Sequence, residues 1–187
     1  MSLINFQLIS PRIQPNQLFK AIESVISSEK ISQAIASSKS RERRNRNLPT
    51  HVIIVLVIAM SFWSSYGIIA VFKNLIGGLT EKYIREKIRL KTPTSSSITE
   101  ARQRVGPRVM TRLFELIVRP LATPFTQGAF LKGLRLMAVD GTVFDVPDTE
   151  KNARVFGYPG TRPGTKAAFP KVRLVLLVEA GTHLICD

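Results

Sequence analysis

Cysteine is nearly absent from this 187-residue chain, where Cys186 stands alone. No intramolecular disulfide can form, and a cysteine-rich metal site is excluded. This usage suits a reducing, intracellular setting, so the expected location is the cytoplasm. The N-terminal stretch MSLINFQLISPRIQ lacks a basic region followed by a long apolar one, so no signal peptide is read there. Acid is scarce as well: 13 Asp/Glu stand against 27 Lys/Arg, a formal net charge of +14. The shortage is uneven. Residues 1–133 hold 20 Lys/Arg against 7 Asp/Glu, whereas residues 134–187 hold 7 against 6. A basic front and a near-neutral back suggest a polyanionic partner for the front, nucleic acid before a merely basic surface. Hydrophobic residues at 44% and charged ones at 21% exclude a disordered chain.

The front part reads as helical. Leu18, Phe19, Ile22, Val25 and Ile26 recur at helical spacing, and Ile31, Ala34 and Ile35 resume after a polar break. The segment SKSRERRNRNLP (38–49) is a basic connector, either solvated or an arm that contacts phosphates through Arg41, Arg43, Arg44 and Arg46. Residues 52–72 hold no charged side chain. That length suffices to cross a bilayer, where ~20 apolar residues are needed. A polar cluster, Ser61, Ser64, Ser65, Tyr66 and Gly67, interrupts the run, and cations flank both ends without giving an orientation. A central helix of a globular bundle fits the same pattern.

Residues 79–90 form a short amphipathic helix in this reading, and SITE (97–100) has the form of a capping box, Ser97 with Glu100. Ile98, Ala101 and Val105 make the buried stripe of the next helix, and Gly106-Pro107 separates it from another over about 108–118. Helix, turn, short basic helix is compatible with a helix-turn-helix. Arg102, Gln103 and Arg104 are then candidates for DNA contact, against the plainer reading of an ordinary helix pair.

From residue 134 the pattern turns to strands. Leu134–Val139 reads as a strand that Gly141–Val146 could extend. Lys171–Ala180 reads as a second strand, Gly181-Thr182 as a turn, and His183–Asp187 as the start of a third, with antiparallel order. Residues 147–169 are a loop-rich insertion with a helical turn near Asp148, which is read as its N-cap. No helix follows to cover the sheet, which implies an incomplete domain. Asp140 ends the first apolar run and is followed by Gly141 and Thr142. A short carboxylate on a rigid strand suits a divalent cation; Asp-Gly is equally a common turn. Asp145 lies at an odd offset and points to the other face. Glu179, on the neighbouring strand, could approach Asp140. Lys166, Lys171 and Arg173 are either phosphate contacts or ordinary surface charge. His183 has no nucleophile at useful spacing and reads as a turn residue.

The chain resembles the insertion-element-four family of DDE transposases from about residue 20 onward. Carrying the likeness in front are Leu48-Pro49, Ser65-Tyr66, Gly77–Leu79, ITEARQRVG (98–106) and LFE (113–115). Behind them come VDGTVFDVPDTEKNARVFG (139–157) and AFPKVRLVLLVEAGTH (168–183). The resemblance implies an α+β fold: an N-terminal all-α bundle that binds DNA (1–130), then the first antiparallel strands of an incomplete ribonuclease-H-like catalytic domain (131–187). It also implies a core holding two Mg²⁺ on two Asp and one Glu, with Asp140 as the first Asp, the catalytic and metal-binding candidate. The family's second Asp and its Glu lie beyond residue 187. The expectation is therefore a transposase fragment for cut-and-paste DNA transposition that binds transposon ends, is catalytically incomplete and holds Mg²⁺ weakly. A regulator that binds DNA or pairs with full-length transposase is the alternative. A small membrane protein spanning 52–72 is a second one, which the resemblance disfavours.

Overall fold

The computed structural model describes residues 15–38, 48–78, 92–160, 162 and 164–187. Its chain divides into two compact units, Met1–Ile117 and Val118–Asp187. Arg41, Arg43, Arg44 and Arg46, and the helix expected over 79–90, lie outside the described residues.

The first unit is helical. Its described helices are α1 (Pro15–Val25), α2 (Ser28–Ser37), α3 (Thr50–Phe62), α4 (Ile68–Gly78), α5 (Ser95–Val105) and α6 (Arg108–Ile117). The polar break between α1 and α2 is a helix start: the Ser27 hydroxyl accepts from the Lys30 amide at 3.4 Å. Helix α3 packs against α2, α4 and α5. That position explains a helix that is apolar on nearly every side, with Val52 through Leu56 and Ala59 all buried. The same core holds Phe72 and Leu75 of α4, Ile98 and Ala101 of α5, and Val109 and Leu113 of α6, which packs on α2.

The uncharged run is not one helix. It breaks after Phe62 and resumes at Ile68, leaving the polar cluster in a turn where the Tyr66 amide donates to the Trp63 carbonyl at 3.0 Å. A helix the length of α3 reaches only about 20 Å at 1.5 Å per residue, short of a ~30 Å hydrocarbon core. Among the described residues, no helix is long and apolar enough to cross a membrane. This removes the ground for the span at 52–72.

Helix α5 begins earlier than the capping-box reading places it. Thr94 is its N-cap, accepting from the Ser97 amide at 3.2 Å, and Ser97 lies inside the first turn. Thr94 wins because its β-extended backbone can present the hydroxyl to the first free amides, which Ser97 cannot do from within the helix. Gly106, at φ +70°, ends α5 in a conformation that favours glycine.

The second unit holds strands β1 (Phe130–Leu131), β2 (Leu134–Arg135), β3 (Met137–Asp145), β4 (Lys171–Glu179) and β5 (Leu184–Ile185), with helix α7 (Glu150–Phe156) between β3 and β4. β1 and β2 form a small hairpin, turned by Lys132 and Gly133 at positive φ. β3, β4 and β5 form an antiparallel sheet in that order, with Asp140 opposite Leu176. Together with the helical unit this makes a mixed helix-and-sheet chain, compatible with α+β. The sequence reading divides the chain at 130/131. Packing divides it at 117/118, because residues 118–129 hydrogen-bond into the strands: the Leu121 and Ala122 amides both donate to Glu179.

Candidate functional site

Asp140 is not at a turn and does not end its strand. It sits midway along β3, which runs on to Asp145. The apolar–acid–glycine order misled because Gly141 is extended here and a Cβ on it would make only ordinary contact, 3.8 Å from the Leu174 carbonyl oxygen. The Asp140 side chain is exposed, and one oxygen accepts from the Gly141 amide at 2.8 Å. Strand alternation puts Ala138 and Thr142 on its face, and cross-strand pairing adds Leu174, Leu176 and Val178.

The other acids of the sheet face away from Asp140. Asp145 lies on the opposite face, as its odd offset requires, and pairs there with Lys171. Glu179 is opposite Met137 and on that same second face, so it does not approach Asp140. It is instead fully buried and saturated. The amides of Leu121 and Ala122 donate to its Oε2 at 2.9 and 2.8 Å, the Thr182 hydroxyl donates at 2.6 Å, and Arg135 pairs with Oε1. Desolvation pushes this carboxyl upward, but Thr182, the two amides and the Arg135 charge outweigh it and hold its pKa below the ordinary Glu range. No local signal marks this role: Glu179 ends a strand that also carries Lys171 and Arg173, and its amide donors lie far away in the chain.

Mg²⁺ keeps much of its water and needs several anionic ligands or phosphates. Asp140 supplies one carboxylate, with aliphatic neighbours across the strand. Among the described residues, no group of three His, Cys, Asp or Glu is placed to hold a metal. This donor set does not by itself fit the ion.

The cationic candidates scatter. Lys171 and Arg173 are on the face opposite Asp140, and Lys171 is occupied by Asp145. Lys166 lies over the Tyr158 ring, 3.7 Å from its centroid, and the Tyr158 hydroxyl donates to Asp148. That hydrogen bond, with some desolvation and the Asp148 charge, raises the Tyr158 pKa. Asp148 is therefore not the cap of α7. Thr149 is, accepting from the Asn152 amide at 3.2 Å.

On α5, Arg102 and Gln103 are exposed at the rim of a cleft of about 530 Å³ whose floor includes Ile53, Ile54, Val57 and Met110. Arg104 does something else: its Nη2 donates to the Leu48 carbonyl at 2.8 Å, fixing the chain just ahead of α3. A second cleft lies on the outer side of α6, where Arg108, Thr111, Arg112 and Glu115 face Ser37 and Ser38. The sequence reading did not single out this group, although its i, i+3, i+4, i+7 spacing marks one helix face.

Residues 16–115 match the family model described as Insertion element 4 transposase N-terminal. Two relatives come from Escherichia coli (strain K12). One, described as "Putative transposase InsZ", is 35% identical over 96 residues, covering 49% of this chain and 31% of the relative. The other, described as "Transposase InsG for insertion sequence element IS4", is 27% identical over 159 residues, covering 84% of this chain and 34% of the relative. The chain thus spans about a third of the length of the curated relatives it matches. No solved structure matches significantly.

Proposed function

The chain belongs to the insertion element 4 transposase family through its N-terminal region, residues 16–115, and from that premise we propose that its helical unit holds transposon-end DNA while Asp140 is one carboxylate of a strand-cutting site. The observation that carries the DNA reading is the charge of the front part. Residues 1–117, the helical unit, hold 18 Lys/Arg against 7 Asp/Glu, and an excess of that size favours a polyanion. Arg102 and Gln103, exposed on α5, and the basic segment with Arg41, Arg43, Arg44 and Arg46 are the proposed contacts. Arg104, held by Leu48, acts by positioning α5.

The strand unit is proposed as the opening of a ribonuclease-H-like catalytic domain. Its antiparallel β3–β4–β5 order, with an exposed acid in the middle of β3, supports that reading. In that fold Asp140 is one ligand of a divalent-metal set, with Mg²⁺ as the expected ion; the remaining ligands are not among the described residues. The family chemistry is phosphoryl transfer on DNA, in which bound ions stabilise the attacking and leaving oxygens. A lone carboxylate cannot assemble that arrangement, so this stretch binds DNA and does not cut it.

The test uses the 187-residue chain with labelled transposon-end duplex. Binding should weaken by about a thousandfold between about 50 and 200 mM salt if some six phosphates are contacted. With Mg²⁺ added, no strand should be cut. Salt-independent binding, or none, defeats the DNA reading, and cutting that Asp140→Ala abolishes defeats the claim of catalytic incompleteness.

A further inference from the structure

The cleft on the outer side of α6 is lined by Ser37, Ser38, Arg108, Thr111, Arg112 and Glu115 and measures about 400 Å³. Every one of these residues is polar or charged, which favours a ligand with polar groups to bind. Arg108 is exposed and, among the described residues, makes no ion pair. Arg112 is paired with Glu115 at 2.6 Å, but both side chains are about half exposed, and such a pair holds weakly against solvent. A guanidinium held so loosely is available to a better acceptor, and phosphate offers bidentate, charge-assisted hydrogen bonds. The facing wall does not oppose an anion strongly. The Ser37 and Ser38 hydroxyls donate to the Ala34 and Ile35 carbonyls at 3.2 and 3.1 Å, covering part of the negative end of α2. Directly after Ser38 in the chain comes a segment, 39–47, with five Lys/Arg and a single Glu.

From these placements we infer that the cleft between the end of α2 and the outer face of α6 is a docking site for the phosphodiester backbone of DNA. Arg108 is its principal contact, Thr111 donates a hydroxyl, and Arg112 transfers from Glu115 to the phosphate. The inference rests on the DNA reading and adds to it a second contact surface, away from Arg102 and Gln103 on α5. A contact of this kind positions the duplex without reading its sequence.

Two substitutions of opposite sign test it, in the full chain, by titrating one duplex across a salt series. Arg108→Gln should make the log–log salt slope shallower by about one and weaken low-salt binding several-fold, equally on transposon-end and unrelated duplex. Glu115→Gln should tighten binding several-fold, because it frees Arg112 and removes a repelling charge; a merely damaged fold would not give that gain. If wild-type chain binds with a steep slope but Arg108→Gln leaves the slope unchanged, or Glu115→Gln fails to tighten binding, the cleft is not a phosphate site while the DNA reading stands. If wild-type chain binds no DNA, both fall together.

Discussion

Asp140 and Glu179 lie on neighbouring strands of one sheet and on opposite faces of it. Their surroundings predict opposite responses to mutation. Asp140 is exposed and, among the described residues, its carboxylate bonds only to the adjacent Gly141 amide, so Asp140→Ala should shift unfolding stability by no more than about 0.5 kcal/mol, measured by denaturant titration. Glu179 ties the 118–122 segment, Arg135 and Thr182 to the sheet, so Glu179→Ala should lower the melting temperature clearly and loosen residues 118–122 to proteolysis. The pH dependence follows from the sign of the Glu179 shift. Its folded pKa lies below its ordinary value of 4.5, so the folded state gains fully above that value. That gain is lost as the pH falls through the folded pKa, because only the unfolded state readily takes the proton at first. The unfolding midpoint should therefore fall on acidification below about 4.5, and Glu179→Gln should flatten this slope. Asp140 stands out in the sequence as a lone acid inside an apolar run, although its place in mid-strand does not. The role of Glu179 was not legible there, since its amide donors are 57 and 58 residues away in the chain.

At the level of elements, periodicity marked the helices among the described residues and the long strands. The strand read from Leu134, however, divides at Leu136 into β2 and β3, and β1, a two-residue strand held by its hairpin partner, carries no pattern of its own. The stripe Ile98, Ala101, Val105 gave α5 correctly, while its first residue was misplaced because several hydroxyls in a row compete for the cap. Thr94→Ala should cost about 1 kcal/mol of stability and Ser97→Ala distinctly less, a comparison that denaturant titration of the two variants makes directly. Hydropathy found the uncharged run but could not see that Trp63 to Gly67 turns the chain, since that depends on packing α4 back against α3. A tighter constraint sits after β4. Gly181 has φ +85°, and a Cβ there would lie 2.9 Å from both the Ala129 Cβ and the Gln127 carbonyl oxygen. Gly181→Ala should destabilise the strand unit by about 1–3 kcal/mol, through backbone strain and overpacking together.

Across the whole molecule, charge is the property most readily read from the sequence, and surface partition is the least. The excess of Lys/Arg up to residue 133 is visible by counting. That Arg104 serves a carbonyl, Lys171 an aspartate and Lys166 a tyrosine ring is visible only in three dimensions. The strand unit leaves apolar side chains open on both faces of its sheet, Val139 at 70% and Val175 at 66% on one, Phe144 at 52% and Leu174 at 40% on the other. Such surface favours association, so the sedimentation coefficient should rise with protein concentration and fall back in mild denaturant. The interruption at Trp63 to Gly67 reaches further than the bundle it shapes. Straightened into one rod, the uncharged stretch 52–72 would measure about 31 Å and match the oily interior of a bilayer. A handful of hydroxyls and one glycine thus stand between a folded helical bundle and a sequence that a cell's insertion machinery would treat as an anchor.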